Sequence, residues 1–146
     1  METGFQFDVL YRDNDVVKVR VSASNSVFRG TADVYLGTGR LGEVAKALQG
    51  FPRSISDTRE VLLGSFDPES AGGGVSMRLY CIDRSGRVYV ETNIESDQDS
   101  GGRVQSAMLF VPIEPAAIDA FVDDLRSLDS GATTTAYLRA TAASRG

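Results

Sequence analysis

The chain's 146 residues, 42% hydrophobic and 24% charged with 15 glycines and 4 prolines, fit one globular domain and exclude a largely disordered chain. A formal charge of -5 counts against a nucleic-acid binder, whose footprint is a basic patch. With no histidine and a single cysteine, Cys81, the chain lacks the commonest general base, the commonest zinc ligand and any intrachain disulfide.

The first elements alternate. In "FQFDVLY" Phe5, Phe7, Val9 and Tyr11 share one parity, and in "VVKVRVSA" Val17, Val19 and Val21 do the same, the period of half-buried strands. "RDND" between them supplies turn residues, so Phe5 to Ala23 reads as a hairpin. In "VFRGTADVYL" Phe28, Ala32, Val34 and Leu36 alternate with Arg29, Thr31, Asp33 and Tyr35, a third strand. A helix follows: Leu41, Val44, Ala45 and Leu48 fall at i, i+3, i+4 and i+7 on one stripe. Thr38 is the expected N-cap and Gly50 the expected stop.

The second half repeats the order. "REVLLGSF", "VSMRLYCID", "RVYVETNIE" and "VQSAMLFVPI" read as four more strands, the middle two joined by "DRSG" with Gly86 closing the turn. Pro115 opens a second helix whose Ile118, Phe121, Val122 and Leu125 repeat the apolar stripe. The expected fold is α+β: about seven mainly antiparallel strands in a curved sheet, partial barrel or sandwich, covered by two amphipathic helices in the order βββα-ββββα. Residues 1–129 form the domain. Residues 130–146 read as a weakly ordered tail, or as a late strand around "TTTAYLR" if a sheet edge is available to it.

Three loops invite a chemical reading. Gly37, Gly39 and Gly42 spell G-x-G-x-x-G, but the strand before them alternates, and no acid closes a second strand at the ~20-residue spacing of a dinucleotide site. Their expected role is to turn the chain from strand into helix. In "FDPESAGGGV" no Lys or hydroxyl follows Gly74 in the register of a phosphate loop, which leaves a flexible connection. In "DQDSGG" Asp97, Asp99 and Gly102 match the first, third and sixth places of a calcium loop, but Gly101 at the fifth and Met108 at the twelfth supply no side-chain oxygen. No cofactor or metal is expected.

Catalytic equipment is sparse. Cys81 shares the parity of Val75, Met77 and Leu79, which places it toward the core. Five tyrosines, seven phenylalanines and no tryptophan, most at core parity, offer little of a sugar platform for a pair of glycosidase carboxylates. The charge, by contrast, has a direction. Glu91 to Asp129 holds nine acids against two arginines, a local net of -7 within the total of -5. On the second helix Asp119 and Asp123 are i, i+4 neighbours and Asp124 adjoins them, while Asp97 and Asp99 lie in the preceding loop. These five residues are the candidate contact face for a basic partner.

The segments "GFPRS", "LGSFDPESAGGGVSMRLYCIDRSG" and "PIEPAAIDAFVDDL" resemble small bacterial immunity proteins of the wall-associated-protein (rearrangement-hotspot) toxin type, over most of Phe5 to Leu128. That resemblance implies a domain that binds and blocks a cognate toxin without chemistry of its own, and it brings no site residues with it. The expected function is therefore a non-enzymatic, protein-binding domain with a basic protein partner. The alternative is a small-molecule binder or weak hydrolase with a pocket where sheet meets helices. Apolar runs stay short of the ~20 residues that cross a bilayer, and Met1 to Gly4 carries no basic residue and is followed by no apolar run. Neither a membrane nor a secretory route is expected, and the lone cysteine suits the cytoplasm.

Overall fold

The computed structural model describes residues 3–141. The chain forms β1 (Gly4–Arg12), β2 (Val16–Ser24), β3 (Arg29–Gly37), α1 (Arg40–Leu48), β4 (Thr58–Gly64), β5 (Gly74–Cys81), β6 (Val88–Glu95), β7 (Ser106–Ile113), α2 (Pro115–Ser130) and β8 (Thr135–Arg139). The strands make two four-stranded antiparallel sheets, in the orders β3-β2-β1-β8 and β4-β5-β6-β7. They do not close into a barrel. The late strand is present: β8 adds to the free side of β1, with Gly4 opposite Arg139 and Asp8 opposite Thr135. Its Ala136 and Leu138 are buried, so this segment joins the core.

The two sheets meet where β3, an edge strand of the first, runs across one end of the second. β3 touches all four strands of the second sheet: Gly30 lies beside Ile94 and Ala107, the Gly73 N–H donates to the Asp33 carbonyl at 2.8 Å, and Gly64 lies against Val34. The strand thus crosses the end of the second sheet rather than pairing along it. This explains the glycines of the β4–β5 segment. A Cβ on Gly73 would sit 2.2 Å from the Glu95 carbonyl oxygen, and one on Gly64 would sit 2.3 Å from the Gly73 oxygen. The loop read as merely flexible is a close backbone junction between sheets.

The inner faces follow the alternation. Val17, Val19, Val21, Ala32, Val34 and Leu36 are buried in the first sheet, and Val61, Leu63, Val75, Met77, Leu79, Val90, Leu109 and Val111 in the second. The buried Thr92 among them is satisfied, its hydroxyl donating to the Ser76 carbonyl at 2.7 Å. α2 lays Ile118, Phe121, Leu125 and Leu128 into the same core, and Phe121 meets Phe7 edge to face at 5.2 Å. The C-terminal carbonyls of α2 are capped from a distance: Arg12 donates to Leu128 and Asp129, placing positive charge at the negative end of the helix. Among the described residues no helix is long and apolar enough to cross a membrane.

Some local expectations are corrected. Tyr11 does not share the inward parity of Phe7, because a bulge between Val9 and Tyr11 shifts the register and leaves both Leu10 and Tyr11 exposed. Phe28 lies outside β3, in a turn closed by the Asn25 carboxamide accepting from the amides of Val27 and Phe28, and is 63% exposed. Thr38 does not cap α1. Its hydroxyl donates instead to the Asn14 carbonyl, and the N-cap is Gly39 at φ 89°. Gly50, at φ 75°, does end the helix.

Candidate functional site

The acidic residues do not converge. Asp99 closes its own hairpin loop: one carboxylate oxygen accepts from the amides of Gly101 and Arg103, and the other from the Arg103 guanidinium at 2.9 Å. The Arg103 amide, with that of Gly101 and its guanidinium, holds this carboxyl below its usual range. Asp97 accepts from the Gln98 amide, and Gln98 reaches across to the Pro68 carbonyl. This loop therefore belongs to the junction with the β4–β5 connection.

On α2, Asp124 is half-buried and accepts the Tyr137 N–H at 3.2 Å. It satisfies the outer edge of β8, a structural task. Asp123 stands 3.9 Å from Arg126 and, like Asp119, is exposed. α2 packs on α1 and β8, whereas the loop with Asp97 and Asp99 adjoins the far end of β7, eight residues from the start of the helix. At ~3.4 Å per residue that strand spans roughly 27 Å. Among the described residues no group of three or more acidic or cysteine side chains could hold a metal ion.

The glycine motif is structural. Gly37 is the last residue of an antiparallel strand and Gly39 the cap of α1; a Cβ on Gly42 would stand 2.7 Å from the Asp129 carboxylate, where α1 passes the end of α2. Cys81 is half-buried, and burial, with Asp57 and Asp83 nearby, pushes its thiol up, away from nucleophilic use. Asp83 is held at about 2, first by the Ser85 hydroxyl and then by Arg87, whose Nε lies 2.6 Å from it. It is a carboxylate at neutral pH, without a proton to give. The core between helices and sheets is filled by buried Leu41, Leu48, Phe7, Phe121 and Leu125, while a cavity of about 240 Å³ opens between Tyr89, Pro112 and Ile113 and the start of α2 at Pro115.

What stands out is the outer face of the second sheet. The strand registers set its residues in rows across β4, β5, β6 and β7: Thr58, Tyr80, Tyr89, Pro112; then Glu60, Arg78, Glu91, Phe110; then Leu62, Ser76, Asn93, Met108. The rings of Tyr80 and Tyr89 lie 6.5 Å apart edge to face, Tyr89 and Phe110 lie 6.4 Å apart, and the Arg78 guanidinium sits 4.9 Å over Tyr80. Leu62 is 49% exposed, Met108 53% and Phe110 42%. Between Met108 and Phe66 runs an open groove of about 540 Å³ floored by Ser76, Asn93, Glu95 and Ser106. The β2–β3 turn brings exposed Val27 and Phe28 to the flank of β7, fixed by the Asn25 amide donating to the Phe110 carbonyl.

This face corrects the expectation that most aromatic residues point inward. Phe5, Phe7, Phe51 and Phe121 are buried, while Tyr80, Tyr89 and Phe110 line the outside. The signal was in "AMLFVPI". An antiparallel strand with one solvated face should alternate, and a continuous apolar run means both faces are apolar. No protein-family model, curated protein or solved structure matches the chain.

Proposed function

We propose that this is a non-enzymatic protein-binding domain whose docking surface is the outer face of the second sheet, and that its partner is a protein it covers and blocks, as the resemblance to toxin immunity proteins implies. The reading is carried by one observation: the outer face of a sheet exposes Phe110 and Met108 on β7 beside the half-buried rings of Tyr80 and Tyr89, with exposed Leu62 on the opposite edge strand. Exposed apolar and aromatic side chains grouped on one face and rimmed by polar ones mark interaction sites. Tyr, Phe and Met are also the residues enriched where proteins meet.

The acids take a secondary place in this proposal. Asp119 and Asp123, exposed on α2, add to a negative field that speeds the approach of a basic partner. Asp99 and Asp124, engaged within the fold, contribute charge but not contact.

The test is a reconstituted complex with the partner captured from lysate of the source organism, followed by amide hydrogen exchange. Protection concentrated in β6 and β7 is the expected result. Protection confined to α2 and the β6–β7 loop would overturn this surface and restore the acidic face.

A further inference from the structure

We infer that the outer face of the second sheet also docks a second copy of this chain, through a two-fold axis running parallel to the strands between β5 and β6. The inference rests on the reading of that face as a docking surface and adds to it a particular occupant. Two sheets packed face to face lie ~10 Å apart, and a two-fold in the plane between them places each strand opposite its mirror position. An axis along the strands sets β5 against the other copy's β6 and β4 against its β7, with the rows in step. Arg78 then faces Glu91, Tyr80 faces Tyr89, Ser76 faces Asn93, and Leu62 faces Met108, each pair occurring twice. Self-complementarity of this sort is what a two-fold interface requires.

The charges select this axis. A two-fold along the rows would instead set Arg78 on Arg78 and Glu91 on Glu91, and like charges in contact oppose docking. Within one chain Arg78 stands 3.9 Å from Glu60 and over the Tyr80 ring, so its guanidinium already lies on the outer face. Two edge pairs are unlike: Thr58 faces Pro112, and Glu60 faces Phe110. Glu60 lies on the edge strand β4 with its side chain 76% exposed, where the rim keeps it solvated. Three rows by four strands, at strand and residue spacings, make a face of about 400 Å² per copy. That is small for a permanent dimer and suits a transient one.

Sedimentation equilibrium of the whole chain from about 10 μM to 1 mM tests it, with far-UV circular dichroism to confirm folding. The weight-average mass is expected to rise from 15.7 kDa toward twice that value. Arg78→Glu alone and Glu91→Arg alone should each stay monomeric over the same range, because each sets like charges together. An equimolar mixture of the two, and the double variant in one chain, should associate again. Met108→Asp, away from the charged row, should weaken association at least tenfold and serves if a charge variant fails to fold. A wild-type chain monomeric at 1 mM, single variants that dimerise like the wild type, or a mixture that fails to recover would each overturn the inference. Wild-type monomers whose partner capture is still lost in Phe110→Asp would overturn the dimer while leaving the proposed docking surface standing.

Discussion

Gly37, Gly39 and Gly42 look alike in the sequence and do different work. Gly37 has open space around it and ordinary φ, Gly39 holds φ 89° at the start of α1, and Gly42 lies against the Asp129 carboxylate. Gly37→Ala should therefore change stability by less than about 0.5 kcal/mol. Gly39→Ala should cost about 1–2 kcal/mol, the penalty for a side chain in the left-handed region. Gly73→Ala meets backbone, the Glu95 carbonyl, and should cost about 1–3 kcal/mol by overpacking. Urea unfolding of the three variants checks the order; a Gly37 variant as damaged as the Gly73 one would contradict it.

Asp83 makes a second residue-scale prediction. Its folded pKa, about 2, lies below the ordinary 3.8. Ionised Asp83 therefore favours the folded turn above about pH 4, and that contribution fades as pH falls through 2. Carboxyl carbon titration by NMR should give a midpoint near 2. Ser85→Ala should raise that midpoint more than Arg87→Gln does, since the hydroxyl is the larger cause. Equal, unshifted midpoints in both variants would contradict the assignment.

At the scale of elements, most of the chain was readable. Alternation located β1, β2, β3 and β5, short apolar runs marked β4, β6 and β7, the 3.6-residue stripe located both helices, and Pro115 marked the first residue of α2. Two things were legible only as alternatives, for physical reasons. β8 has only five residues, and its partner β1 lies more than a hundred positions away, so nothing local distinguishes it from a tail. The division into two sheets likewise rests on the close approach of β3 to Gly64 and Gly73, a contact no periodicity encodes. The bulge that exposes Tyr11 shows the limit of parity, because one extra residue reverses every later inference on that strand. Phe121→Ala, which removes the ring against Phe7, should cost about 3–5 kcal/mol in chemical unfolding. Asp124→Ala should cost about 1 kcal/mol and speed hydrogen exchange at the Tyr137 amide; an unaltered amide would mean that Asp124 is free for other use.

For the molecule as a whole, the sequence directed attention to charge and the fold directs it to a sheet face that carries aromatic and apolar side chains among polar ones. The acidic block is real in the sequence, but folding spreads it between α2 and a loop at the opposite end of β7, and ties Asp99 and Asp124 into local structure. The face of Tyr80, Tyr89, Phe110 and Met108 is assembled by strand register. No single segment displayed it, although the unbroken apolar run of β7 was its trace. The central claim is that this face binds protein. Affinity capture from lysate of the source organism, with the wild type and with Met108→Asp/Phe110→Asp as parallel baits, tests it most directly. A partner retained by the wild type and lost from the variant is the expected result; the same partner retained equally by both would contradict the claim.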